Sequence, residues 1–566
     1  MPEYLAPGVY AEEISTGPVP IEGVSTSTTG FVGPTPRGPT HPQLVTSWLE
    51  FQLWYGGLTE LGGSSAFATW AKAGFAYTVW AAKGFFDNGG QRLFMARVVG
   101  DIPPPAPAPG PAPAPGPAPP APSGDSPARI QLSPKTAGQT ALTIQSAGPA
   151  DLTNQIFVRV MDPTQRDPAN PTNPDPTRTR ISIVFYDVAP PTPLVDPLSL
   201  LSADLRNPNR RDPTIVEDYD NLQAGDITAA LGASTLIAPP DLGAAQPALP
   251  ANIKFTALSP GSYGYPLVDQ NYIGDETKPL DSRTGLAALA TLDEVSLLCV
   301  PNEVTDATGT ITGEIRIQCE LLKDRFAILQ VPGTMSNISR IHPPFASSYT
   351  AIYYPWIRVV DPVTQATMLV PPGGHIAGIY AATDEARGVH KAPANVEVAG
   401  ILINDLPGNI KPLEYTISKG DQEILNPIGI NVIRDFRASG LGCRVWGART
   451  LSSDAQWKYV NVRRLFIFVE QSVIRGTQWV VFEPNDEITW ARVRRSLSDF
   501  LTSVWRSGAL VGATPDEAFF VRCDATTMTQ DDIDNGRLIC LVGMAPAKPA
   551  EFVIFRFSQI TGQPTS

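Results

Sequence analysis

The chain has 566 residues, too many for one hydrophobic core, so several domains are expected. Hydrophobic residues make up 43% and charged residues 17%, which is apolar enough to fold but poor in charge for a free monomer of this size and favours burial against partners. A formal net charge of −13 excludes an extended nucleic-acid surface, because phosphate binding needs clustered Lys and Arg to displace counterions.

The opening MPEYLAPGVYAEEISTGPVP has neither the basic region nor the apolar run of a secretory signal, so synthesis in the cytoplasm is expected. No stretch reaches the roughly 18 apolar residues of a membrane helix, and no direct membrane insertion is expected. Residues 1–24 are acidic, and Pro2, Pro7, Pro18 and Pro20 exclude a helix. Between them Gly8 to Ile14 has room for one short strand that needs a partner sheet; a frayed terminus is the plainer alternative.

Residues 25–100 read as the first part of an α/β core. The spacing of Phe67, Trp70, Gly74 and Tyr77 predicts a helix, and RLFMARVV at 92–99 a buried strand. A Pro/Ala-rich linker follows at 101–124, and alternating Pro and Ala from Pro103 to Pro122 predict an extended spacer of roughly 60 Å separating two folded bodies. ARIQLSP, ALTIQSA, QIFVRVMD and RISIVFYD then predict strands of an inserted β-rich surface domain at 125–255, with an exposed hairpin tip at 165–179. Over 256–400 the α/β core resumes: VSLLCV and RFAILQVP read as strands and GEIRIQCELLKD as a helix.

Residues 401–548 read as a C-terminal α/β domain. Val462, Phe466, Val469 and Val473 fall at helical spacing with Gly476 as the C-cap, WVVFEPND at 479–486 reads as a strand, and Thr489 as the N-cap of the next helix. That helix buries Trp490, Val493, Leu497, Phe500, Leu501 and Val504 and leaves Arg492, Arg495, Asp499 and Arg506 largely off the stripe. EAFFVRCD and RLICLVGMAP predict strands. The last run, EFVIFRFSQI in the C-terminal arm 549–566, is apolar on both faces: Phe552 and Ile554 on one, Val553, Phe555 and Phe557 on the other. Such a strand belongs inside a sheet, either its own domain's or a neighbour's, with Pro546 and Pro549 suited to a stiff lead.

Catalytic residues cannot be nominated. His41, His342, His375 and His390 lack metal-ligand spacing and read as structural, and neither GxSxG nor a Walker loop is present. SGLGCRVWG matches a dinucleotide loop only loosely and reads as turn and strand. Asp531, Asp532 and Asp534 suit a helix N-terminus better than calcium. Cys299, Cys319, Cys443, Cys523 and Cys540 read as buried free thiols, not as a disulfide frame or zinc site. No enzyme, cofactor or metal is expected; a surface-layer or carbohydrate-binding structural protein is one alternative, suggested by the Pro-rich stretch and β-domain.

Taken in order, PEYLAPGVYAEEI, GVSTSTTGFVGPTPRGP, SSYTAIYYPWIRV, VPPGGHIAGIYAATDEARGVHKAPAN, LNPIGINVIRDF, CRVWGARTL, KYVNVRR, WVVFEPND, GATPDEAFFVRCD and APAKPAEFVIFRF resemble the contractile tail sheath proteins of myophages, R-type pyocins and extracellular contractile injection systems. The resemblance covers roughly 1–50 and 255–560 and leaves the Pro-rich stretch and β-insert unmatched. It implies a sheath-type multidomain α/β fold whose copies stack as rings of six around an inner tube and contract to drive that tube through a target membrane. It also implies baseplate and terminal cap proteins as partners, and arms that pair as strands with neighbouring copies. Carried over, Val9, Tyr10, Ala11 and Ile14 lie in the N-terminal arm strand and Phe552, Val553, Ile554, Phe555 and Phe557 in the C-terminal one. A tube-facing C-terminal domain makes Arg492, Arg494 and Arg495 possible tube contacts; a solvated or intra-sheath basic face is the alternative.

Overall fold

The computed structural model describes residues 20–61, 77–100, 126–136, 138–152, 154–240, 248–264, 267–333, 337–362 and 364–556. Expectations for Gly8 to Ile14, for the helix through Phe67, Trp70 and Gly74, for Pro103 to Pro122 and for Phe557 onward lie outside these residues. The chain divides into two compact units, one of residues 26–386 and 392–460, the other of 1–25, 387–391 and 461–566.

The larger unit is built on an eight-stranded sheet in the order Cys443–Val445, Ile430–Asp435, Thr350–Tyr354, Phe326–Gln330, Leu297–Cys299, Thr29–Gly33, Leu93–Arg97 and Gln43–Val45. The six inner strands run parallel, and an antiparallel strand closes each edge. Inner strands such as FAILQ and TAIYY are buried at every position, as a sheet covered on both faces demands. Alternation sends Val32, Leu298, Leu329 and Ile352 into a cluster with Leu286, Leu289 and Ile315. On the other face Phe31 meets Phe85 edge-on at 5.8 Å, and the Tyr353 and Tyr380 hydroxyls are 2.6 Å apart.

Helices Tyr77–Asp87 and Gly373–Arg387 cover that second face, and glycine brings them together. A Cβ on Gly374 would stand 2.4 Å from the Ala81 backbone, and one on Gly84 2.2 Å from His375 Nδ1. His375 is therefore an interior packing residue; burial pushes its imidazole down to about 3, so it is neutral.

The four strands expected from 126 to 186 form as Pro127–Leu132, Leu142–Pro149, Ile156–Met161 and Thr179–Phe185. They join Ile237–Ala238, Ile215–Leu222 and Ile253–Ala257 in a three-stranded and a four-stranded antiparallel sheet around Leu142, Ile144, Val158, Ile181 and Ile183. The expected hairpin tip pairs Arg166–Asp167 with Asn170–Pro174.

The spacer reading needs correction. Gly100 N donates to Tyr263 O and Ser126 N to Ser262 O, both at 2.9 Å, so the chain leaves for the Pro/Ala stretch and returns from it at one place. Gly264 makes this possible: at φ +62° its Cβ would stand 1.5 Å from Gly100 O. The β-sheets are clamped to the core, not held at a distance. Buried Arg97 donates to Gly38 O and Pro149 O at 2.7 Å each, and Arg37 lays its guanidinium 4.5 Å over the Phe185 ring.

Strands Ile430–Asp435 and Cys443–Val445, grouped by sequence with the C-terminal part, run in the eight-stranded sheet, while the C-terminal unit takes up residues from Asn461 onward. No helix among the described residues is long and apolar enough to cross a membrane.

Candidate assembly surface in the C-terminal unit

Two helices form the frame of the smaller unit. The first, Val460–Gly476, ends at Gly476 in helical conformation, so that glycine is not the left-handed cap the sequence suggests. Its small size serves a contact instead. A Cβ there would stand 2.8 Å from Ile21, which is buried in the unit's apolar cluster, and Val24 N donates to Ser472 Oγ at 3.1 Å. Residues 21–24, assigned by sequence to the extended arm, are thus seated on this helix.

WVVFEPND is not a strand: Gln478–Val480 is a 3-10 turn, and Phe482, at φ +71° and fully exposed, has a backbone no strand accepts. The second helix, Glu487–Arg506, is capped three residues before the expected Thr489, by Asp486, whose Oδ1 accepts from Thr489 N at 2.8 Å. Its six stripe residues, from Trp490 to Val504, are all buried as predicted.

The three arginines proposed from sequence have different roles. Arg494 turns inward and donates to Cys523 O at 2.9 Å. Arg492 stacks 4.7 Å over Trp479 and lies 3.9 Å from Glu483. Arg495 is exposed and 4.0 Å from Asp499, an i,i+4 pair of little energetic value. Two of the acidic cluster, Asp531 and Asp532, lie in the first turn of a short helix that Thr529 caps, while Asp534 ends it: Thr529 Oγ1 accepts from Asp532 N at 3.2 Å, and hydrogen bonds from Thr529 and Arg537 hold the Asp532 carboxyl down at about 2.

Strands Phe519–Arg522 and Leu541–Met544 form a two-stranded antiparallel hairpin that no other described strand extends. Phe519, Val521 and Met544 pack one side of this ladder on the unit's apolar cluster, while a ladder of only two strands leaves edges open to further pairing. Phe520 and Leu541 on it are half exposed. Beyond the hairpin the chain is fixed by Val511 N to Ala545 O at 2.8 Å, Ala547 N to Ala509 O at 3.0 Å and Asn461 Nδ2 to Ala547 O at 3.1 Å. Pro546, read as part of a free lead, is therefore still docked opposite Leu510. Past it, Phe552, Val553, Ile554 and Phe555 are 70–77% exposed and pair with no strand among the described residues. Phe557, Val9, Tyr10, Ala11 and Ile14 lie outside the described residues. Sequence reasoning missed the Ile21–Val24 seat; its signal was the small pair Ser472 and Gly476, one turn apart on the helix.

No group of three His, Cys, Asp or Glu among the described residues is placed to hold a metal. The groove on the β-sheets is lined by Lys135, Thr136, Gln139, Thr140, Thr177 and neighbours, without the aromatic platform a sugar ring stacks on.

Family models for the phage tail sheath central domain and the phage tail sheath C-terminal domain match residues 278–451 and 452–560, together half of the chain. A prophage major tail sheath protein of Pseudomonas aeruginosa (strain UCBPP-PA14) is 28% identical over 243 residues, covering 42% of this chain and 58% of that protein. The tail sheath protein of Vibrio phage KVP40 is 28% identical over 189 residues, 33% of this chain and 26% of that protein. The chain thus aligns with less than two thirds of these relatives. Among solved structures, the sheath of an extracellular contractile injection system, PVC, in its contracted state aligns over 99% of both chains with TM-score 0.53 and 21% identity. The contracted helical sheath of the anti-feeding prophage aligns over 98% of this chain and 100% of that one, with TM-score 0.52 and 22% identity. At these identities the likeness is one of fold.

Proposed function

The chain belongs to the phage tail sheath family, and on that premise we propose that it is the repeating subunit of a contractile sheath, polymerising in rings of six around an inner tube and contracting to drive that tube through a target membrane. The observation that carries this reading is the run Phe552–Phe555, apolar on both faces and 70–77% exposed, in the same unit as a two-stranded hairpin with open edges. Each copy holds one strand too many and one ladder too narrow, so a second copy satisfies both. The arm of one subunit, with Phe557 continuing it, adds to a neighbour's hairpin, and the N-terminal strand around Val9, Tyr10, Ala11 and Ile14 does the same from the other end.

Further partners follow from the same reading: an inner tube protein, a baseplate and a terminal cap, in a phage tail or an extracellular injection particle. Among the arginines, Arg492 and Arg495 remain candidates for the tube contact, whereas Arg494 is occupied inside its own unit. Electron microscopy of the expressed chain tests the proposal. Striated hollow cylinders are expected; discrete monomers under all assembly conditions would overturn it.

A further inference from the structure

Arg522 faces Leu541 in the C-terminal hairpin, so one more step in the same register sets Cys523 opposite Cys540. Directly opposed residues of antiparallel strands have Cα atoms about 4.5–5.5 Å apart, inside the roughly 4.4–6.8 Å that a disulfide spans. Neighbouring backbone is held on both sides. Cys523 O accepts from Arg494 Nη1 at 2.9 Å, and Ile539 O accepts from Thr527 Oγ1 at 2.8 Å. Cys523 is buried and Cys540 half-buried in the apolar cluster that includes Leu501, Val504 and Met528. Burial raises both thiols, Cys540 to about 12, and each also perturbs the other's ionisation, in keeping with the opposed register. The remaining cysteines, Cys299, Cys319 and Cys443, are buried in the other unit.

We infer that Cys523 and Cys540 are a redox pair that closes to a disulfide when the protein meets a low-molecular-weight disulfide such as oxidised glutathione. The Cys540 thiolate, the more accessible of the two, attacks one sulfur of the small disulfide. A Cys540 mixed disulfide forms, and one small thiolate leaves and takes up the proton Cys540 released. The Cys523 thiolate then attacks Cys540 Sγ, forming the protein disulfide and expelling the second small thiolate, which takes up the Cys523 proton. The protein loses two hydrogens, and one small disulfide becomes two thiols. In a reducing cytosol the pair stays open; in oxidising surroundings it closes and staples the base of the hairpin. Because raised thiols are scarcely ionised near neutral pH, closure is slow there and accelerates about tenfold per pH unit.

The full-length protein, purified reduced, is incubated with oxidised glutathione, alkylated, digested and read by mass spectrometry. A Cys523–Cys540 linked peptide is expected, with Cys299, Cys319 and Cys443 alkylated. Closure should quicken about tenfold from pH 7 to pH 8, and amide exchange in Phe519–Arg522 and Leu541–Met544 should slow about a hundredfold, as expected for a loop of roughly 15 residues. Cys540→Ser should abolish the link and the exchange effect without changing the far-UV spectrum. Separate glutathione adducts on both cysteines without a link, a link between two chains, or free thiols after prolonged incubation at pH 9 would each overturn the inference.

Discussion

Removing the two aromatic side chains of the C-terminal run should break assembly and spare the monomer. Phe552 and Phe555 are 70% and 77% exposed, so Phe552→Ala and Phe555→Ala delete little packing from the folded chain, and monomer stability should move by less than about 0.5 kcal/mol. In a strand-exchanged lattice the same rings are buried. Full burial of a Phe is worth about 1.5–3 kcal/mol, and three quarters of each ring remains to be buried, so each substitution should weaken one contact by about 2 kcal/mol. That is a factor of about 30 in an association constant per ring, and the rings point to opposite faces of the strand, so the double variant should multiply the effects. The critical concentration for sheath formation, measured by pelleting and electron microscopy, reads the lattice term, while thermal unfolding of the unassembled chain reads the monomer term. An unchanged critical concentration in the double variant refutes strand exchange by this segment. A large fall in the monomer's unfolding temperature refutes it differently, by showing that the run completes its own domain.

Gly374→Val should cost about 1–3 kcal/mol or more in denaturant unfolding, because its Cβ would meet the Ala81 backbone at 2.4 Å where no side chain can yield. Burial raises the Glu303 carboxyl to about 8 despite hydrogen bonds from Gln330 and Thr312 that pull the other way. From about 4.5 to 8 the unfolded chain releases a proton the fold retains, so stability falls as pH rises through that window; Glu303→Gln should flatten that part of the urea-midpoint profile. Arg494→Met, which loses the bond to Cys523 O, should destabilise the C-terminal unit by about 1–3 kcal/mol, whereas Arg495→Glu should leave unfolding within about 0.5 kcal/mol. Co-assembly of Arg495→Glu with the tube protein, scored by co-pelleting, then tests the tube contact without a folding confound.

What could be read from sequence, and what could not, follows from how local the cause was. Runs such as FAILQ and TAIYY announce a doubly covered sheet because burial on both faces leaves no polar alternation to misread. IVEDYDNL at 215–222 was missed because it is acidic, yet its carboxylates are used: Glu217 Oε1 accepts from Thr235 N at 2.9 Å and Asp218 Oδ1 from Ser182 Oγ at 2.8 Å. WVVF reads as a strand until the left-handed backbone of Phe482 is known, and nothing in composition betrays it. A proline-rich run looks like a spacer from inside; only the pairing of Gly100 and Ser126 with neighbouring residues shows that its ends meet. At the candidate surface, the two apolar faces of Phe552–Phe555 pointed to a strand inside a sheet, whereas the run is exposed and unpaired among the described residues and its pairing belongs to the proposed assembly; the inward turn of Arg494 was not legible, since it sits at the border of the helix stripe.

The two tails leave from one helix, and this makes a last prediction sharp. Residues 21–24 seat on the end of Val460–Gly476 through Ile21, Val24 and Ser472, and Ala547 is fixed to Asn461 at its beginning. The helix spans about 25 Å at 1.5 Å per residue. Under strand exchange, tension arriving on one tail passes to the other along its axis, the direction in which the hydrogen-bonded backbone is stiffest. Gly476→Val would stand its side chain where Ile21 packs, 2.8 Å from Ile21 Cγ1 and Cγ2, and push the N-terminal seat off the helix, taking Ile21 out of the apolar cluster it shares with the stripe from Trp490 to Val504. The variant should keep its circular dichroism and lose only about 1–3 kcal/mol in unfolding, yet fail to form extended cylinders. Cylinders of normal length from Gly476→Val would show that the lattice does not depend on the N-terminal tail being held at this helix.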